Sequence, residues 1–162
     1  MVIDKEGSYQ SDVKERNGSV YEKILIAYDG STEAERALDE GVRLAQALGS
    51  HVTLATIAEP MPGYYGLAVV VAPEAPDQFR QDQLQRLGSL QVKASELAKA
   101  HGVTIETTLI EADEVTGILE AATALKANLI VVGLRRHDQH LEWVGTVRQI
   151  ANRTPCPILA VV

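Results

Sequence analysis

The residues best suited to chemistry lie in one loop after an apolar run that ends at Gly133. Arg135 and Arg136 come next, and Gly145-Thr146 then opens a stretch with helical spacing. Glycine lets a backbone approach a ligand closely, arginine binds phosphate through paired hydrogen bonds, and a helix N-terminus attracts anions. These residue types favour the binding of a phosphate group.

Other reactive residues do not form a recognisable catalytic or metal site. His137, Asp138 and His140 share the same loop, but no fourth metal ligand is evident. Cys156 lies between two prolines without a partner, which favours a small buried apolar residue. No nucleophile, base and acid occur together, so we expect no catalytic residues. The sequence also lacks the glycine patterns of dinucleotide-binding folds and P-loops.

The elements that must position the loop alternate along the chain. Short apolar or alternating runs predict strands at 23–28, 51–57, 103–110, 128–132 and 158–162. The third run alternates, which is typical of a sheet edge. Helical spacing predicts four intervening helices, so the order indicates a parallel sheet covered on both faces. Such sheets bind ligands at the carboxyl ends of their strands, where Asp29 and Gly133 lie.

Local signals give the expected helix ends and buried faces. Thr32 and Glu35 have the spacing of a capping box, and Asp113 is suited to cap the third helix. The second helix is expected over about 77–101 with Leu97 on its buried face. The fourth is expected to bury Ala151 together with Val147 and Ile150.

Length and charge limit the function classes. The chain has 162 residues and a net charge of -7, which favours one domain and argues against nucleic acid or an anionic membrane as partners. Residues 1–21 predict a polar tail, residues 22–162 the domain, and residues 59–77 a flap. One cysteine and the absence of an apolar leader or spanning segment predict a cytoplasmic protein.

Four stretches together resemble the universal stress protein family. They are KILIAYDGSTEAERAL, ADEVTGILEAA, LIVVG at 129–133, and GTVRQIANRTPCPILAVV, and they cover about 22–162. The resemblance implies a five-stranded α/β sheet of order 3-2-1-4-5, like that of the adenine-nucleotide alpha-hydrolases, and a homodimer. It also implies a stress-response role with a regulatory protein partner.

The resemblance leaves two functions open. One branch of the family binds ATP through the motif Gly-x2-Gly-x9-Gly-Ser/Thr, where x is any residue. Here Gly133 and Gly145-Thr146 match, but Arg136 replaces the second glycine and only eight residues follow it. The arginines rebuild the site with side chains, or the site is lost and the protein is a dimeric interaction module of the other branch.

If nucleotide binding is retained, the resemblance implies a particular set of binding residues. Adenine and ribose would lie near Ala27, Asp29, Ile57 and Val132, and the phosphates, with Mg²⁺, near Gly133, Arg136, Gly145, Thr146 and Val147. The last strand carries five apolar residues at an uncovered sheet edge, so we expect the homodimer to form there.

Overall fold

The computed structural model describes residues 20–60, 74–134 and 145–162. Strands and helices alternate as predicted: β1 (Lys23–Ala27), α1 (Thr32–Leu48), β2 (His51–Ala58), α2 (Ala75–Ala100), β3 (Ile105–Glu111), α3 (Glu114–Leu125), β4 (Leu129–Gly133), α4 (Thr146–Arg153) and β5 (Ile158–Val161). Nearly all of the predicted tail, most of the predicted flap, and Arg136 lie outside the described residues. No helix in the described ranges is long and apolar enough to cross a membrane.

The five strands form one parallel sheet in the order β3-β2-β1-β4-β5, which confirms the expected α/β topology. Ile24 of β1 is level with Val52 on one side and with Leu129 on the other. The chain therefore adds β2 and β3 on one side of β1, and then adds β4 and β5 on the other side. The predicted edge position of β3 is confirmed.

Each face of the sheet has its own core. The α1 face buries residues such as Ile26 and Val131 beneath α1 and α2, and the α3 face buries residues such as Leu25 and Ile130 beneath α3 and α4. Successive side chains of a strand point to opposite faces, so a continuous apolar run supplies both cores. This explains why β1 and β4 read as unbroken apolar runs in the sequence.

Three local predictions were wrong. Ser31 caps α1, not Thr32, because its hydroxyl accepts a hydrogen bond from the Ala34 N–H at 3.2 Å. Leu97 is 43% exposed because it lies at the margin of the narrow stripe through which α2 contacts the sheet. Ala151 is exposed because α4 is short and buries mainly Ile150, a quarter turn away.

The cap assignment can be tested by stability. We expect Ser31→Ala to lower the free energy of unfolding by about 1 kcal/mol, because the Ala34 N–H loses its acceptor. Thr32→Ala is the matched control and should change stability by less than about 0.5 kcal/mol. Urea unfolding of both variants measures the difference. A larger loss for Thr32→Ala would restore the sequence-based assignment.

Candidate functional site

A cavity of about 790 Å³ opens at the carboxyl edge of the sheet, where β1 and β4 diverge. It is bounded by the ends of β1, β2 and β4 and by the first turns of α1, α3 and α4. All of the predicted site residues except Arg136, which is not among the described residues, line it: Ala27, Asp29, Ile57, Val132, Gly133, Gly145, Thr146 and Val147. We call this cavity the cleft.

The deep part of the cleft is an apolar slot on the α3 face. Its walls include Ala27, Ile57 and Val132 from three adjacent strands, with Ile118 of α3 and Ile150 of α4 beneath them. Ile118 and Ile150 are almost fully buried, so the slot has a fixed floor. Apolar walls of small and branched side chains suit the insertion of a planar ring.

Close packing of α3 fixes one wall of this slot. A Cβ added to Gly117 would lie 2.8 Å from the Ile57 Cδ1, so a larger residue there would displace the Ile57 side chain that lines the slot. Tyr28 also lines the cleft, but it belongs to the core of the α1 face, opposite Ala27. Burial and the nearby Glu35 carboxylate raise the pKa of the Tyr28 phenol, which therefore stays neutral.

The turn after β1 places a carboxylate on the rim of the cleft. One carboxylate oxygen of Asp29 accepts the Ser31 N–H at 2.8 Å, and Gly30 has a left-handed backbone with φ of 80°. α2 packs closely over this turn, because a Cβ on Gly30 would lie 2.8 Å from the Leu90 side chain. Asp29 is exposed beside the slot, where a carboxylate suits ribose hydroxyl groups.

Gly133 has a packing role that its sequence pattern did not indicate. A Cβ at this position would lie 2.5 Å from the carbonyl carbon of Glu33 and 2.7 Å from the Ala34 backbone nitrogen. The end of β4 therefore presses directly on the first turn of α1. Glycine is required here whether or not a phosphate binds.

The other matched glycine, Gly145, is not crowded by the described part of the chain. A Cβ added there would meet no atom of the described residues within 4 Å, and the residue caps α4 without a side-chain hydrogen bond. The first N–H groups of α4 therefore point toward the cleft without an intrahelical partner. Thr146 donates its hydroxyl to the Glu114 carboxylate at 3.0 Å, so this helix start already has a neighbouring anion.

Several lining residues were not among the predicted site residues, and the most informative of them are Gln83 and Arg86 of α2 and Glu114 of α3. Arg80 holds α2 in place, because its guanidinium donates to both Glu111 carboxylate oxygens at 2.6 and 2.7 Å and lowers the pKa of Glu111. The spacing of α2 gave no signal for Gln83 and Arg86. Glu114 follows the predicted cap Asp113, which lies at the carboxyl edge after β3, and that placement was a usable signal.

The described lining carries more negative than positive charge. Asp29, Glu33, Glu59 and Glu114 contribute carboxylates, and Arg86 contributes the one guanidinium among the described lining residues. Within the same part of the chain, no three histidine, cysteine, aspartate or glutamate side chains stand close enough to hold a metal ion. The cleft can therefore accept a ring and hydroxyl groups readily, while a phosphate would meet both helix N–H groups and carboxylates.

Comparison with known proteins gives one consistent family. The model of the universal stress protein family matches residues 20–162. A relative from Thermus aquaticus, described as a universal stress protein in QAH/OAS sulfhydrylase 3'region, is 30% identical over 150 residues, or 88% of this chain and 99% of that protein.

Solved structures share the fold. Universal stress protein UspA from Lactobacillus plantarum has a TM-score of 0.72 at 17% identity, covering 88% of this chain and 98% of that one. A universal stress protein in complex with cAMP has a TM-score of 0.60 at 23% identity, covering 88% and 97%. One from Archaeoglobus fulgidus in complex with dAMP has a TM-score of 0.60 at 18% identity, covering 88% and 99%.

The two matched glycines should separate packing from ligand binding. We expect Gly133→Ala to lower the free energy of unfolding by about 2 kcal/mol or more, because its methyl group would overlap the backbone of α1. Gly145→Ala should cost less than about 1 kcal/mol, since the space is open and φ is -65°. Urea unfolding without any ligand makes the comparison. Equal losses would show that α1 shifts to admit the methyl group.

Proposed function

The chain belongs to the universal stress protein family, and we propose that it is a stress-response regulatory module that binds an adenine nucleotide in the cleft. The observation that carries the proposal is the apolar slot, which lies beside a rim carboxylate and an uncapped helix start at the point where strand order reverses. A purine ring, a ribose and a phosphate need those three features in that order.

We assign roles to the residues from this arrangement. Ala27, Ile57 and Val132 contact the adenine ring in the slot, and Asp29 accepts hydrogen bonds from ribose hydroxyl groups. The phosphate lies near the start of α4, at Gly145, Thr146 and Val147, with Gly133 opposite and Arg136 contributed by the loop. The complexes of related folds with cAMP and dAMP support an adenine ligand.

The proposed activity is binding, not catalysis. A Mg²⁺ ion would arrive with ATP, held by phosphate oxygens and at most one or two carboxylates of the lining, which is how proteins usually hold this ion. We propose that occupancy of the cleft changes recognition by a regulatory protein partner in the cytoplasm. Any hydrolysis of ATP would be slow and incidental to that role.

Filling the slot should abolish nucleotide binding. In calorimetric titrations of AMP into protein stripped of ligand, we expect Ala27→Leu to weaken binding by at least about tenfold, because the added methyl groups occupy the space of the ring. Ala124→Leu makes the same change at an exposed position of α3 and should bind as the natural protein does.

The outcomes distinguish the two functions left open by the sequence. Binding that is lost only in Ala27→Leu supports the proposal. If the natural protein shows neither heat nor a change in melting temperature with millimolar AMP, cyclic AMP or ATP, the adenine-nucleotide function is wrong. The protein would then be assigned to the branch that acts through its surface.

Our second proposal is that the protein forms a homodimer through the outer edge of β5. β5 pairs with β4 on one side, and Leu159 and Val162 are 37% and 43% exposed at the other. Unpaired strand edges with apolar side chains tend to pair with a second copy. This surface is independent of the cleft, so both proposals can hold together.

Light scattering at micromolar concentration should give the mass of a dimer. We expect Leu159→Lys to shift the protein toward the monomer, because a buried unpaired charge opposes association. Val92→Lys is the matched control: Val92 is 61% exposed on α2, so its variant should remain dimeric. A monomer mass for the natural protein would contradict the proposal, as would equal behaviour of the two variants.

A further inference from the structure

The start of α4 and the start of α3 meet at the mouth of the cleft. Thr146, the first residue of α4, donates its hydroxyl to the Glu114 carboxylate, the first residue of α3, at 3.0 Å. The hydrogen bond joins residues 32 positions apart in the sequence. A carboxylate is thus held beside the N–H groups that a ligand phosphate would use.

The one positively charged residue of the described lining, Arg86, belongs to α2, which packs on the opposite face of the sheet from α3 and α4. Glu59 adds a further carboxylate to the described lining. Removing part of this negative field should matter most at Glu114, because it contacts the helix start directly. Charges a few ångströms apart at a partly exposed site interact strongly enough to change affinity severalfold.

We propose that Glu114 makes the cleft selective for the charge of its ligand, so that it prefers adenosine carrying no more than one negative charge over ATP. The proposal rests on the adenine-binding function above and adds to it the class of ligand. Adenosine and cyclic adenosine monophosphate keep the ring and ribose that the slot and Asp29 suit. ATP adds several negative charges that must lie near Glu114.

The hydrogen bond itself need not change when the charge is removed. In Glu114→Gln the side-chain amide oxygen can accept the Thr146 hydroxyl, so the start of α4 keeps its geometry. Glu120→Gln is the matched control, since Glu120 is an exposed carboxylate on the same helix and does not line the cleft. Both variants change the net charge of the protein equally.

The experiment is a calorimetric titration of adenosine, cyclic adenosine monophosphate and ATP into each protein, at low salt with EDTA present. We expect the natural protein to bind adenosine and the cyclic nucleotide more tightly than ATP. Glu114→Gln should raise the affinity for ATP relative to adenosine by about tenfold, as expected for the loss of one weakly screened charge. Glu120→Gln should leave that ratio within about twofold.

Each remaining outcome overturns the proposal in a recognisable way. If all three ligands bind but the ratio is the same in Glu114→Gln and Glu120→Gln, Glu114 does not select by charge. If Glu114→Gln weakens ATP binding, in EDTA or with Mg²⁺, the carboxylate assists the triphosphate or its cation. If no ligand binds to any of the proteins, the adenine-binding function itself is wrong, and this inference fails with it.

Discussion

The reversal of strand order at β1 is the constraint on which the rest of the structure depends. From β1 the chain crosses one face of the sheet through α1 and α2, and after β3 it returns across the other face through α3 and α4. Because the helices after β1 and β4 leave on opposite faces, neither of these helices covers the gap between those strand ends. The cleft is the direct product of that topology.

The same edge collects the N-termini of the helices, and this sets its electrostatic character. Helix starts stabilise carboxylates, as shown by Asp113, whose pKa is lowered by hydrogen bonds from Thr116. The groups that begin α1 and α3 therefore bring negative charge to the cleft. α4 begins without a side-chain cap, and Glu114 of the neighbouring helix supplies the nearest anion. Under our proposal, these carboxylates at the helix starts also lower the affinity of the cleft for highly charged ligands.

Much of the fold could be predicted from the sequence because the spacing of apolar residues along a strand or helix reflects which side chains are buried. The apolar runs of β1 and β4 and the cap at Asp113 are local signals, and the observed elements agree with them. The predictions failed for Leu97 and Ala151, where a helix meets the core through a stripe narrower than its apolar pattern.

The candidate site was only partly predictable, because its geometry joins distant residues. The strand ends indicated Asp29 and Gly133, and the family resemblance implied Ala27 and Val132; the structure brings all four to one cleft. Contacts such as Thr146 with Glu114, or Gly133 with the backbone of α1, depend on how two helices are oriented at one edge. No local pattern in the sequence carries that orientation.

The tight contact of Gly133 with α1 has a consequence for how such sequences change over time. Packing against α1 requires this glycine whether or not a ligand binds. The nucleotide function that we propose would add a second pressure, on Gly133 and Gly145 alike. In a lineage without that function, drift would remove Gly145, where no described atom opposes a Cβ, long before it removed Gly133. A glycine at the end of β4 therefore records how the sheet packs, and under our proposal the glycine that begins α4 would record use of the cleft.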